Sequence, residues 1–173
     1  MSRAGGDQTD GAMEARCARR DDKHALHRRG PSAVFPLLAG SWFLDRSIDN
    51  GSSMTGTAMF AHCGNGQVEY HEKGRLRLGD GRILDAERLY LFEEDDCGFA
   101  VLFAEHPPRL FHRIVLCAIG PSLVGSAEHL CGEDRYDSRY EFRPDGSFVV
   151  QHAVRGPRKR YEITTCYWRD AWI

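Results

Sequence analysis

The chain has 173 residues, with 23 Lys and Arg against 25 Asp and Glu and a net charge of −2. That balance gives no global attraction to nucleic acid, and no apolar run approaches the roughly 18–20 residues needed to cross a bilayer. The length suits one domain of about 100–200 residues plus a tail, and the apolar content is enough to bury a core.

Residues 1–33 read as a disordered N-terminal extension. Gly, Asp and Arg dominate, large apolar side chains are few, and no period emerges. A transient helix over 15–29 would expose Arg16, Arg19, Arg20, Arg28 and Arg29. The first residues lack the apolar core of a secretory signal. Asp7, Asp10, Glu14, Asp21 and Asp22 argue against an organelle transit peptide, although targeting by the tail stays open. Cys17, Cys63, Cys97, Cys117, Cys131 and Cys166 form no C-x-x-C pair. Without an export signal they are expected to be free thiols in a reducing, cytoplasmic compartment.

The folded domain is expected over 34–173. Pro31 to Gly40 has the composition of a short helix that covers one end of the domain before its first strand. Strands are then predicted at 41–47, 55–62, 67–78, 82–92, 99–104, 109–117, 126–131, 136–143, 148–155 and 160–169. Asn50-Gly51, Gly64-Asn65-Gly66, Gly79-Asp80-Gly81 and Pro144-Asp145-Gly146 mark turns between them. About ten strands at 8–12-residue spacing, with hardly any helical period, predict an all-β antiparallel sandwich or barrel. The two ends of this region favour a closed up-and-down barrel. Gly40-Ser41-Trp42 opens the first strand and Arg169 closes the last, so the indole is expected to plug the base with the guanidinium stacked on its face.

Side chains alternate across a strand, so Trp42 sets the phase of the inner face. Leu44 and Arg46 then point inward, followed by Gly56, Ala58 and Phe60, by Val68, Tyr70 and Glu72, and by Arg88, Tyr90 and Phe92. Val101 and Phe103, His112, His129 and Cys131 continue the row. Tyr136, Ser138, Tyr140, Val150, His152, Thr165 and Tyr167 come later. Charged residues are almost never fully buried unless paired. Arg46, Glu72, Arg88, His112 and His129 among phenols and phenyls therefore predict a polar cavity with room for a small molecule.

Two chemistries compete for those residues. In a binding barrel, Arg46, Arg88 and His112 hold an anionic group, and Tyr70, Tyr90, Tyr136 and Tyr140 grip the apolar part. Glu72 paired with Arg88 is the self-neutralising variant. In a small enzyme, Cys131 is activated by His129 or His112 with Asp134 as orienter, or a His/Tyr set does acid–base work. The same His, Cys and Asp residues are zinc-ligand types, but their spacing matches no standard pattern, so no metal is assigned. His112, His129 or His152 would have to serve as the axial ligand of a haem, and the cofactor is left unknown. A protein-interaction role for the tail or an outer sheet face is the third reading. No nucleic-acid or membrane partner is expected.

The run His129-Leu130-Cys131-Gly132-Glu133-Asp134-Arg135-Tyr136, with Gly156-Pro157-Arg158-Lys159 further on, resembles the H-x-C-x-x-D-x-Y … G-P-x-K signature of the DUF6314 family. Tyr70-His71-Glu72-Lys73-Gly74, Arg88-Leu89-Tyr90 and Phe111-His112 are similar to its earlier blocks. The likeness spans about 38–169. It implies a lipocalin-like (calycin) barrel, adds Lys159 to the candidate ligand-binding residues, and supplies no activity.

Overall fold

The computed structural model describes residue 30 and residues 34–64 and 66–169; all of the expected N-terminal extension except residue 30 lies outside them. A short helix, α1 (Val34–Leu38), precedes eleven strands: β1 (Gly40–Ile48), β2 (Ser53–Gly64), β3 (Gln67–Arg77), β4 (Ile83–Asp95), β5 (Gly98–Phe103), β6 (Arg109–Val115), β7 (Cys117–Ile119), β8 (Ser122–Cys131), β9 (Asp134–Phe142), β10 (Phe148–Arg155) and β11 (Arg160–Trp168). All belong to one antiparallel sheet in the order β6-β5-β4-β3-β2-β1-β11-β10-β9-β8-β7. Sequence neighbours pair except β6 and β7, which end the sheet, and β1 joins β11, so the sheet curls into a nearly closed up-and-down barrel.

The eleventh strand lies where alternation fails. The single strand expected over 109–117 breaks at Leu116 into β6 and the three-residue β7. β8 begins at Ser122, four residues earlier than its pattern suggests. Ser122-Leu123-Val124-Gly125 is buried on both faces and therefore shows no period of two.

Closure depends on missing side chains. β6 and β8 approach side by side without a backbone ladder between them. A side-chain carbon at Gly125 would stand 2.5 Å from Ile114 Cγ2 and 2.6 Å from the Val115 carbonyl oxygen. Gly56 and Gly74 face each other across β2 and β3. A carbon at Gly56 would meet the Lys73 carbonyl oxygen at 2.1 Å, so the sheet can bend there only with glycine.

The base is sealed as the two chain ends predict. The Trp42 indole N–H donates to the Leu38 carbonyl at 2.8 Å, tying α1 to β1. The Arg169 guanidinium carbon sits 4.0 Å from the Trp42 ring centre. Its Nη2 donates to the carbonyls of Leu37, Leu38 and Ala39 at 2.9, 3.0 and 2.5 Å. Gly40 makes the turn between helix and strand at φ +106°, a left-handed conformation that other residues avoid. Above this plug Phe148 stacks on Tyr167, with centroids 4.2 Å apart, and meets Trp42 edge-on at 4.8 Å. No helix among the described residues is long and apolar enough to cross a membrane.

Candidate functional site

The inner wall carries two polar groups at different depths. The deeper one joins β1, β3 and β11. Arg46 donates to both oxygens of Glu72, Nη1 to Oε1 at 2.8 Å and Nη2 to Oε2 at 2.6 Å, and its Nε donates to Thr165 Oγ1 at 2.8 Å. Tyr70 donates to Glu72 Oε2 and shares a 2.8 Å hydrogen bond with Tyr167. Burial alone disfavours both charges. The Arg46 hydrogen bond outweighs it and leaves the Glu72 carboxyl below its usual range, and the Glu72 contact likewise leaves Arg46 above its own. Burial, with Glu72 as a further cause, pushes the Tyr167 phenol up to about 12. Tyr70 shifts the same way, from burial and then from Tyr167 and Glu72. The group is thus a closed ionic network of satisfied partners.

The second group lies toward the mouth and against the β6–β8 seam. A β-bulge in β6, where Val101 and Leu102 of β5 pair with His112 and Leu110 and leave Phe111 unpaired, breaks the period, so Phe111 and His112 are both buried. His112 Nε2 shares a 3.0 Å hydrogen bond with the Tyr140 hydroxyl, and His152 Nδ1 shares one of 2.8 Å with Ser138. His129 packs edge-on against Phe111, with centroids 5.0 Å apart. Burial, then neighbouring His152 and His129, lower the His112 pKa to about 3. Burial, then Arg88 and Arg46, lower His152 to about 4. Burial and Arg109 lower His129, against a hydrogen bond to the Phe111 backbone. All three imidazoles are therefore neutral at ordinary pH. His112 Nδ1 and His129 Nε2 are buried without a hydrogen-bond partner. Buried polar atoms are normally satisfied, so these two are open to a ligand or a water.

Arg88 and Tyr90 stand between the two groups. Arg88 Nε lies 3.9 Å from Glu72 Oε1, and its side chain is 44% exposed. Its guanidinium carbon is 5.8 Å from the Tyr90 ring centre. The expected Glu72–Arg88 pair is present at 3.9 Å, but Arg46 is the closer, two-pronged partner of Glu72 and Arg88 stands at the margin. Between Arg46, Glu72, Arg88, Tyr90, Tyr140 and His152 lies a cavity of about 30 Å³. That holds about one or two waters, against roughly 300–1,000 Å³ for a drug-sized ligand, so the interior is fuller than the expected roomy cavity.

The signature residues converge at the mouth in a different way from a catalytic set. His129 pairs with Tyr136 in register, and Cys131 with Asp134, across the β8–β9 hairpin. Asp134 accepts from Lys159 Nζ at 2.8 Å, linking that hairpin to the β10–β11 turn. A side chain at Gly156 would collide with Asp134 Oδ1 at 1.9 Å. Asp134 therefore orients no imidazole, and His112 is engaged by Tyr140. Cys131 is exposed at the strand end. Lys159 is exposed and structural in its contact. Cys63, Cys97, Cys117 and Cys166 are likewise free and exposed, while Cys17 lies outside the described residues. Among the described residues no three His, Cys, Asp or Glu side chains are placed to hold a metal ion.

Thr165, Tyr167 and Ser138 complete the polar groups although none is a candidate site residue in the sequence, and His152 joins them after entering only as a candidate haem ligand. Their signal was parity, since each falls on the inward row. Phe111 had no such signal, because nothing in its local pattern marks the bulge.

A family model for a family of unknown function, DUF6314, matches residues 38–169. No curated protein matches the sequence. Among solved structures, the S-type phycobiliprotein lyase CPES from Guillardia theta is similar over 87% of this chain and 97% of its own, at 8% identity and a TM-score of 0.53. EF1p2_mFAP2b bound to DFHBI is similar over 82% of this chain and 100% of its own, at 13% identity and a TM-score of 0.42. A de novo designed fluorescence-activating β-barrel is similar over 79% of this chain and 97% of its own, at 14% identity and a TM-score of 0.39. At 8% identity the likeness to the lyase concerns the fold.

Proposed function

The chain belongs to DUF6314, a family of unknown function, and we propose that it is a binding barrel for a small molecule with an anionic head, received at the mouth. The observation that carries this reading is that the guanidinium of Arg88 is only weakly paired. Arg46 occupies both oxygens of Glu72, and Tyr70 adds a third bond. The inner wall thus holds two guanidinium groups against one carboxylate. Arg88 approaches that carboxylate only to 3.9 Å and its side chain stays 44% exposed. A carboxylate or phosphate from outside would gain two parallel charge-assisted hydrogen bonds there.

The small cavity limits what enters. The anionic head can displace the one or two waters beneath Arg88, and the rest of the molecule lies against Tyr90, Phe103, Phe111 and Tyr136. Arg88 has the exposure and the rotatable stem to move aside. The open nitrogens of His112 and His129 offer neutral hydrogen-bonding partners along the same wall.

The test is native mass spectrometry of the full chain purified from its own source, beside Arg88→Gln purified in parallel. The expected result is a co-purifying small molecule carrying a carboxylate or phosphate, lost in the variant while the ligand-free melting temperature is unchanged. A wild-type chain that purifies empty overturns the reading, as does a bound molecule that Arg88→Gln retains.

A further inference from the structure

We propose that the free edge of β4, residues 83–89, is a docking site for an extended peptide strand with basic residues at alternate positions. β3 pairs with β4 from Ile83 to Glu93, but β5 pairs with it only from Tyr90 to Asp95. The first seven residues of β4 therefore have a neighbour on one side only. The phase of their backbone follows from the turn. The Leu78 N–H donates to the Arg82 carbonyl at 2.8 Å, so Arg82, Leu84, Ala86 and Arg88 exchange hydrogen bonds with β3. Ile83, Asp85, Glu87 and Leu89 aim their N–H and C=O groups the other way. Among the described residues no strand pairs with that side of Ile83, Asp85 and Glu87, and Leu89 stands at the limit of the β5 ladder.

Proteins usually blunt an edge of this length with proline, lysine, a bulge or a covering segment. This one is apolar on both faces: Ile83 is 53% exposed, Leu84 46% and Leu89 41%. The charges at its middle decide the occupant. Asp85 and Glu87 lie on the outer face, and Leu84 and Ala86 on the inner. A second copy paired about Ala86 in the full register would set Asp85 against Glu87 twice and Leu84 against Arg88. Like charges directly opposite are destabilising, so the edge disfavours itself. A strand with Lys or Arg opposite Asp85 and Glu87, and apolar residues opposite Leu84 and Ala86, is favoured at every position. Glu87 already meets His71 and Lys73 on the β3 side, and the added strand reaches it from the other. This is strand addition, in which the main chain supplies affinity and alternate side chains supply selectivity.

The test uses the full chain and two capped eight-residue peptides, one alternating valine with lysine and one valine with glutamate. The valine–lysine peptide is expected to slow amide exchange at Ile83, Asp85, Glu87 and Leu89. It should bind about tenfold more tightly than its acidic counterpart, as two cross-strand charge pairs change sign between them. Asp85→Pro removes one outward N–H and leaves the β3 ladder intact, so binding should be lost with the fold kept. The pair Asp85→Lys and Glu87→Lys should invert the peptide preference, which reads out even if the proline variant does not fold. No protection by either peptide, equal affinity for both, or self-association that protects the same four amides would each overturn the proposal. None of these outcomes depends on Arg88 or on any molecule in the mouth.

Discussion

Arg46 of β1 reaches past Met54 of β2 to hold Glu72 of β3 through two hydrogen bonds, at 2.8 and 2.6 Å, with both side chains buried. Removing water from two such charges is expensive, and their attraction offsets it only while both are present. Arg46→Met or Glu72→Leu alone is expected to destabilise the fold by about 3–5 kcal/mol, because each strands a buried partner. Arg46→Met combined with Glu72→Leu should recover most of that loss. Denaturant unfolding of the three variants checks this. Additive losses would mean that Arg46 and Glu72 do not act as a closed pair, and that Arg46 is free for a ligand after all.

The imidazoles predict how stability follows pH. His112 and His152 are held at about 3 and about 4, below the ordinary 6.5. Their folded pKa lies below the unfolded one, so the unfolded chain takes up protons first as pH falls. These groups cause no pH dependence above about 6.5, and stability declines progressively below it. Between pH 6.5 and 5 the slope approaches about 1.4 kcal/mol per pH unit for each histidine. That window lies above the range in which carboxylates such as Glu72 begin to protonate. Unfolding free energies at pH 7.5, 6.5, 5.8 and 5.0 should fall along this line, and His152→Gln should remove about half of the slope. A flat profile down to pH 5 would mean that the imidazoles are solvated.

Much of this site was readable from alternation, and the limits of that reading are physical. In β1, β2 and β3 one face is buried and the other wet, so the phase set by Trp42 carried through to Arg46 and Glu72. β4 keeps the same parity, yet its first half is exposed on both faces because no strand covers its edge, which composition does not reveal. At β6 a bulge at Phe111 itself turns that ring inward beside His112. At β8 the run Ser122 to Gly125 is buried on both sides, and its strand character is hidden from a period-two reading. Parity brings Arg88 to Glu72 but does not rank it against Arg46, because the strength of a pair depends on reach. Arg88 is its direct register neighbour, but Arg46, two strands away, has the straighter fork. Cavity volume was beyond parity altogether, since it is set by how Phe60, Tyr70, Phe148 and Tyr167 interlock.

The seam between β6 and β8 gives a sharper prediction about closure. Gly125→Ala places a methyl 2.5 Å from Ile114 Cγ2 and 2.6 Å from the Val115 carbonyl, where one obstacle is backbone and cannot swing away. A loss of about 1–3 kcal/mol is expected, the range for overpacking. Amide exchange should accelerate selectively in β6 and in the Gly125–Cys131 half of β8. Gly64→Ala is the matched control, because no atom lies within 4 Å of its added carbon and the change meets only the strain of φ +90°. If Gly125→Ala leaves exchange in β6 untouched, the strands are not in the close contact that closes the barrel.

The base plug yields the last prediction, and its geometry separates charge from shape. Arg169 places its guanidinium carbon 4.0 Å from the Trp42 ring centre while the same group collects three carbonyls from the end of α1. A lysine ammonium keeps the charge and can reach the carbonyls, but it cannot lie flat on the indole while its nitrogen stands at the position of Nη2. Arg169→Ala is expected to cost about 1–3 kcal/mol, discounted for the partial exposure of the side chain. Arg169→Lys should recover less than half of that. Because the carbonyls belong to Leu37, Leu38 and Ala39, the released element is α1, and its exchange protection should fall before that of any strand. Full recovery by lysine would assign the contact to charge alone and would remove the reason for a planar cation at the barrel base.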